Sequence, residues 1–159
     1  GNVSDDNAVR EAMKGQDVAL VTMGAKDISR PHSVAGDGVK RIIAAAGMFN
    51  VPRIVMLGNV GLLPHPSGKL QGEVNIAPFL QFIFADQKIA YTQLRDCGLD
   101  WVIICPPFMP LGTATGKYRC AVEATLEKAQ QISVEDVAQV LLQEVVEPKH
   151  HKVRVGISY

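Results

Sequence analysis

The chain has 159 residues, of which 47% are apolar and 20% charged, enough for one hydrophobic core and too few to suggest two domains. Its 16 basic and 16 acidic side chains cancel and are interspersed, which argues against nucleic acid or an anionic membrane surface as a partner. No apolar run approaches the ~20 residues of a bilayer-spanning helix. The three cysteines lack metal-ligand spacing and no secretory leader opens the chain. We therefore expect a single cytoplasmic domain over 1–159.

The chain alternates between segments of helical period and short, strand-like apolar runs, which is typical of an α/β protein with a parallel sheet. Ser4 is expected to cap the first helix, which stops at Gly15. The predicted segments of the first half are a helix over 5–14, a strand over 18–23, a helix over 34–49 and a strand over 53–57. Because the run over 18–23 is continuously apolar, we expect it to be buried on both faces.

The second half begins with residues 58–78, whose glycines and prolines predict a long loop at the carboxyl end of the second strand. Open α/β sheets bind ligands at that end, so we expect the active site nearby. The segments predicted after this loop are a helix from Phe79 that ends before Gly98, a strand over 101–105, a short strand over 118–122, a helix capped by Ser133 and a strand over 153–157.

Neither standard phosphate-binding fingerprint is present. The triplet Gly36-Asp37-Gly38 matches the start of G-x-G-x-x-G, but Arg41 stands where the third glycine belongs. The stretch from Gly61 to Lys69 superficially resembles a P-loop, yet its glycines are too far apart and Leu70 replaces the Ser or Thr that binds magnesium. We interpret both stretches as structural.

Two further sets of residues have a chemical and an ordinary interpretation. Tyr91 and Arg95 have the spacing of the Tyr-x-x-x-Lys pair of short-chain dehydrogenases, but arginine replaces that lysine imperfectly and such i, i+4 contacts are common on helix surfaces. The four histidines lack the i, i+4 geometry of a helical zinc site, so we expect solvated positions and no metal. They are His32, His65, His150 and His151.

Three strand ends remain as candidates for a site. They are the turns 23–26, 58–61 and 106–109, which follow three strands of the predicted sheet. Parallel strands bring their carboxyl ends to one edge, so the three turns predict a shared ligand crevice. The alternative is that each is an ordinary turn that uses glycine or proline for backbone reasons.

The order of several short motifs resembles the atypical short-chain dehydrogenase family of NAD(P)H-binding, NmrA-like reductases, and within it the flavin and biliverdin-IXβ reductases. The resemblance covers essentially the whole chain. The matching stretches are Gly1-Asn2-Val3, Gly15-Gln16-Asp17, Met23-Gly24, Leu94 to Leu99, Pro106-Pro107, Thr115-Gly116-Lys117-Tyr118 and Ile132-Ser133-x-x-Asp136.

The resemblance implies a Rossmann-type, doubly wound parallel sheet and an NADP cofactor, with NAD possible. It also implies hydride transfer to a flavin or a linear tetrapyrrole. By the same resemblance Asn2 and Val3 would contact the adenine, and Met23, Gly24 and Lys26 the adenosine ribose and phosphates, with Ala35 a further cofactor contact. Gly58, Gln87, Pro107, Phe108 and Met109 would surround the nicotinamide, and Asn59 is the candidate catalytic residue.

The chain departs from the family at its start and at two site positions. The first βαβ unit, with its glycine-rich turn, has no counterpart, so we expect weak dinucleotide binding by these residues alone and a bare edge at the strand over 18–23. A partner chain is one way to complete that edge; a truncated isoform or a partial chain is another. Asn59 replaces a family serine and Phe108 a histidine, which leaves open a non-catalytic NAD(P)-sensing or protein-interaction relative.

Overall fold

The structure, a computed structural model, describes residues 1–159 and contains five strands and five α-helices. The strands are β1 (Val18–Val21), β2 (Arg53–Leu57), β3 (Asp100–Cys105), β4 (Arg119–Val122) and β5 (Val153–Ser158). The helices are α1 (Asp6–Met13), α2 (Val34–Phe49), α3 (Gln71–Val74), α4 (Gln81–Asp96) and α5 (Val134–Val146). Short 3₁₀ helices lie at Val60–Leu62 and Pro78–Leu80.

All five strands form one sheet in the order β1-β2-β3-β5-β4. Neighbouring strands are parallel except β4, which runs antiparallel to β5 at the opposite edge from β1. The α/β prediction is confirmed, as is the Rossmann-type sheet that lacks its first βαβ unit, because β1 has a neighbour on one side only. None of the helices combines the length and the apolar composition needed to cross a bilayer.

Helices cover both faces of the sheet. The larger core lies where α1, α2 and α4 pack, and it buries Val39, Ile54 and Leu94 completely. The smaller core lies under α5 and includes Val55 and Val140. Successive strand residues point to opposite faces, so Ile54 and Val55 enter different cores.

The edge strand β1 is less buried than the sequence predicts. Leu20 is 43% exposed, although its neighbours Ala19 and Val21 lie in the larger core. The prediction of burial on both faces is wrong because no further strand pairs with β1 and no second helix joins α5 on that face. The strand also ends at Val21 instead of residue 23, since its register with β2 stops at the pair Val21 and Met56.

Of the two predicted helix caps, the one at α1 differs from the prediction and the one at α5 agrees with it. Asp5, not Ser4, caps α1: its Oδ1 accepts the backbone N–H of Asn7 at 2.9 Å and of Ala8 at 3.2 Å. Ser133 does cap α5, as predicted, through an N–H···Oγ bond from Asp136 of 3.1 Å.

Residues 58–78 are not a plain loop. They contain the 3₁₀ helix Val60–Leu62 and α3, and α4 begins at Gln81 because Pro78 to Leu80 form a 3₁₀ turn first. The segment folds back on α4: a Cβ added to Gly72 would stand 2.5 Å from the ring of Phe84. This packing carries the segment across the carboxyl end of β2.

Candidate functional site

The turns after β2 and β3 lie side by side at the carboxyl edge of the sheet. The N–H of Gly58 donates to the carbonyl of Ile104 at 2.8 Å, and the N–H of Val60 donates to that of Pro106 at 2.9 Å. The segments that follow β2 and β3 therefore stay paired as far as Pro106, and residues 107–109 leave the sheet beside Asn59.

Asn59 is held at both ends of its amide group. Its Oδ1 accepts the backbone N–H of Gly61 at 2.8 Å, and its Nδ2 donates to Oε1 of Gln87 at 2.5 Å. Gln87 lies on α4, so this bond ties the turn after β2 to the helix across the sheet edge. Both are residues that the sequence assigned to the site.

The turn after β1 meets the same glutamine. Met23, Gly24 and Ala25 line a cavity of about 120 Å³ together with Gln87 and with Ala35 at the start of α2. A Cβ at Gly24 would meet no atom within 4 Å, so the backbone there faces open space. The structure thus brings the turns after β1 and β2 together at Gln87, and the bond from Val60 to Pro106 places the turn after β3 beside the second of them.

The other predicted site residues are distributed more widely. Lys26 is exposed on the loop after Gly24, Pro107 is half-buried, and Phe108 is 68% exposed. Met109 packs against the core beneath α5. Of these four, only Phe108 and Lys26 present freely accessible side chains.

Two predicted adenine contacts lie at the free edge of the sheet. Asn2 and Val3 line an apolar groove that follows β1, and Oδ1 of Asn2 accepts the N–H of Ser4 at 3.0 Å. The side chains of Val3 and Met23 both pack on α2: a Cβ at Gly38 would stand 2.6 Å from Cε of Met23 and 3.0 Å from Cγ2 of Val3.

Close packing explains the glycines of the rejected G-x-G match and of the turn after β2. A Cβ at Gly36 would stand 2.9 Å from Cγ2 of Ile89, so the glycine lets α2 and α4 approach. A Cβ at Gly58 would stand 2.6 Å from Cγ2 of Ile103 and 2.9 Å from Cδ1 of Leu62. These glycines serve backbone packing, as interpreted for 36–38.

Sequence reasoning missed a histidine–aspartate pair beside the cavity. The side chain of His32 is 11% exposed and its Nδ1 lies 2.9 Å from Oδ2 of Asp86. The expectation of a solvated position is therefore wrong for His32, because the loop before α2 folds over α4. The available signal was Asp86 itself, an acidic residue within the apolar stripe of the predicted helix.

Tyr91 and Arg95 take the ordinary interpretation. The ring of Tyr91 packs edge-on against Trp101, with centroids 6.1 Å apart, and the guanidinium of Arg154 lies 4.5 Å from its centroid. Arg95 pairs with Asp96 at 2.8 Å. Tyr91 and Arg95 both line a different pocket, and neither lines the cavity of Met23, Gly24 and Gln87.

The matching motifs around 115–118 and 132–136 form a structural anchor. Asp136 accepts the backbone N–H of Thr115 at 3.0 Å and of Gly116 at 2.9 Å, and the hydroxyl of Tyr159 at 2.7 Å. Burial opposes ionisation of this carboxyl, but the hydrogen bonds outweigh it and hold the pKa of Asp136 well below its usual range. The anchor fastens the loop after β3 to α5.

Comparison with known proteins shows the family and the fold of the chain. The family model described as NAD(P)H-binding matches residues 1–148. A Burkholderia pseudomallei structure named as an exported protein has a TM-score of 0.84 at 23% identity, covering 100% of this chain and 80% of its own.

Two further solved structures share the fold. A Streptococcus pneumoniae protein named as an NADH-flavin reductase has a TM-score of 0.80 at 22% identity, over 94% of this chain and 74% of its own. A Veillonella parvula short-chain dehydrogenase/reductase, solved with NADP, has a TM-score of 0.71 at 17% identity, over 100% and 70%. Sequence identities this low establish only a shared fold. The family model, in contrast, matches residues 1–148, nearly the whole chain. The chain belongs to the NAD(P)H-binding family.

Proposed function

We propose that this protein is an NAD(P)H-dependent reductase whose acceptor is a flavin or a linear tetrapyrrole, with NADP the expected cofactor and NAD an alternative. The observation that carries the proposal is the meeting of the turns after β1 and β2 at Gln87, with the turn after β3 beside the second of them. In an open α/β sheet this edge is where a nucleotide binds. Family membership supports the cofactor class.

The residues fit one end of the cofactor better than the other. The open backbone at Gly24 and the amides of Asn59 and Gln87 suit a nicotinamide and its ribose. No glycine-rich turn opens a helix among these 159 residues, so the pyrophosphate has no cradle here. Asn2, Val3 and the β1 edge lie on the side where the adenosine half would extend.

The chain's contribution to the reaction is positioning. Nicotinamide C4 supplies a hydride when the cofactor is bound. Gln87 lines the crevice and would orient the carboxamide, and its bond to Asn59 would hold the Gln87 amide in place. The exposed ring of Phe108 offers an apolar face against which a flat acceptor would stack. Holding the nicotinamide ring and the acceptor ring face to face would remove much of the entropic cost of hydride transfer.

A non-catalytic relative of the same fold is the second candidate. Asn59 cannot deliver a proton as a serine hydroxyl can, and both ends of its amide are already bonded. A protein of this kind would bind NAD(P)H and report its presence without turnover.

The free edge of β1 is expected to accept one more parallel strand, from a first βαβ unit or a partner chain. Its apolar groove measures about 350 Å³. The Burkholderia pseudomallei structure matches over 80% of its own length, so its fold includes further elements. Unpaired apolar edges are normally covered in stable proteins.

The experiment is a binding and turnover assay with two reduced cofactors. NADPH and reduced nicotinamide mononucleotide are each offered with flavin mononucleotide or biliverdin, and oxidation is followed by absorbance. The mononucleotide needs no pyrophosphate cradle, so it tests the crevice directly. Turnover supports the reductase; binding without turnover selects the second candidate; absence of binding by both nucleotides overturns the proposal.

A further inference from the structure

The pair His32 and Asp86 joins the start of α2 to α4 and leaves one ring nitrogen of His32 without a partner. Asp86 is 2% exposed and its carboxylate accepts three hydrogen bonds. Two come from the backbone N–H groups of Ala35 at 2.9 Å and Gly36 at 2.8 Å, in the first turn of α2. The third comes from Nδ1 of His32 at 2.9 Å. The carboxylate is thus held at a helix N-terminus, where negative charge is favoured.

This arrangement decides which ring nitrogen of His32 carries its proton. A carboxylate only accepts hydrogen bonds, so Nδ1 must donate. In the neutral imidazole Nε2 is then an acceptor. Asp86 is therefore a positioning residue that fixes both the tautomer and the orientation of the ring.

The other ring nitrogen has no partner. Nε2 of His32 is buried and makes no hydrogen bond in the protein. Buried polar atoms are normally satisfied, and an unsatisfied one costs free energy. A histidine present only for packing would not need an oriented ring whose acceptor is left unpaired.

The ring borders the crevice. His32 lines the cavity of about 120 Å³ that Met23, Gly24 and Gln87 also line. This volume is too small for a dinucleotide, but it suits a sugar hydroxyl or a carboxamide group. Gln87, which lines the same cavity as His32, in turn bonds Asn59, the predicted catalytic position.

We propose that His32 is a binding residue of this crevice, whose Nε2 accepts a hydrogen bond from a hydroxyl or amide N–H donor on the nicotinamide–ribose half of the cofactor. The proposal rests on the proposed function. It assigns the pair His32 and Asp86 to recognition of the ligand, in addition to the positions that the sequence indicated.

The first experiment observes the histidine ring itself in the full 159-residue chain. Nitrogen-15 correlation spectra are expected to show Nδ1 protonated in the free protein. Nicotinamide mononucleotide is then expected to shift Nε2 of His32. Titration with nicotinamide alone and with ribose 5-phosphate tells whether the donor belongs to the carboxamide or to the sugar.

The outcomes separate this inference from the proposed function. A shift of Nε2 with the mononucleotide supports both. If the Asn59 and Gln87 amides shift while His32 does not, the inference is overturned and the nicotinamide crevice stands. If neither the mononucleotide nor NADPH perturbs any of these groups, both proposals fail.

Two variants give a second measurement. His32→Ala is expected to weaken mononucleotide and NADPH binding about 5-fold, the equivalent of one lost hydrogen bond, without changing affinity for adenosine 2′,5′-bisphosphate. His65→Ala is the matched control, because the ring of His65 is bonded only to its loop neighbour Ser67. Equal losses in the two variants would contradict the proposal.

Asp86→Asn tests the positioning role through the tautomer. Its amide can donate to the ring nitrogen, so a larger share of His32 is expected with the proton on Nε2, and mononucleotide binding falls with it. The ring spectrum reports this directly in the folded protein. An unchanged tautomer would show that Asp86 does not set the orientation of the ring.

Discussion

The amide of Asn59 donates to the amide of Gln87 at 2.5 Å, joining the turn after β2 to α4 across the mouth of the crevice. Neither residue can move alone without leaving a half-buried polar group unpaired. The pair therefore fixes the position of the turn after β2 relative to α4, which lines the cavity below the turn after β1.

Gln87→Leu is expected to lower affinity for reduced nicotinamide mononucleotide about 5-fold. It removes the contact between the Gln87 amide and the ligand, and it leaves Nδ2 of Asn59 without its acceptor. A fluorescence titration measures this. Gln81→Leu is the control, since Gln81 is exposed at the first turn of α4. Unchanged affinity in Gln87→Leu would remove Gln87 from the site.

Gly58→Ala and Gly24→Ala are a matched pair. At Gly58 the new Cβ would stand 2.6 Å from Ile103, so we expect a loss of about 1–3 kcal/mol in the free energy of unfolding. At Gly24 nothing lies within 4 Å, and we expect a change of at most ~0.5 kcal/mol. Urea unfolding measures both. Similar values for the two variants would contradict the packing described at the end of β2.

Arg53→Met tests the buried ion pair at the opposite end of the sheet. The Arg53 side chain is 5% exposed and bonds Glu144, 4% exposed, at 2.8 Å. Removing the guanidinium takes the arginine away from both Glu144 and Asp100. The buried Glu144 carboxylate keeps hydrogen bonds from His150 and Lys149, so we expect a loss of about 3 kcal/mol in the free energy of unfolding.

The double variant Arg53→Met with Glu144→Gln is the control for that charge. It is expected to recover part of the stability, because no uncompensated charge remains buried. Thermal unfolding measures the recovery. A double variant less stable than Arg53→Met would show that the loss arises from packing.

The pKa of Asp136 predicts acid sensitivity of the anchor. Burial raises this pKa, but the hydrogen bonds from Thr115, Tyr159 and Gly116 lower it by more, so the net pKa lies below the ordinary value. The unfolded chain therefore binds a proton at a higher pH than the folded protein does. Stability from Asp136 is present above the ordinary aspartate pKa of ~3.9 and is lost as the pH falls below it.

Asp136→Asn is expected to lower the melting temperature by several degrees at neutral pH and to flatten the acid limb of the stability curve. Urea midpoints at mildly acidic and strongly acidic pH measure the slope. An acid limb identical to that of the unmodified protein would place the sensitivity in other carboxyl groups.

Leu20→Lys tests the free edge of β1. Leu20 is 43% exposed on an unpaired strand, and a lysine on such an edge opposes pairing between chains. In sedimentation velocity we expect Leu20→Lys to self-associate less than the unmodified protein. Leu142→Lys, at an exposed leucine on α5, is the control. Equal association of the two variants would exclude β1 as a contact.

The sequence by itself determined the α/β class and all five strands. Both follow from the local spacing of apolar residues, because strand-like apolar runs and helical apolar stripes can be recognised without knowledge of the tertiary structure. Local pattern also indicated the capping role of Ser133. The bare edge at β1 and the site positions Asn59 and Gln87 are predicted from the family resemblance instead.

Only the tertiary structure decided which polar residues meet. His32 and Asp86 are 54 positions apart and no local pattern connects them. The exposure of Leu20 likewise depends on which elements lie beside β1, and the close approach at Gly58 depends on Ile103 in another strand. Burial and pairing arise from long-range packing, which residue periodicity does not encode.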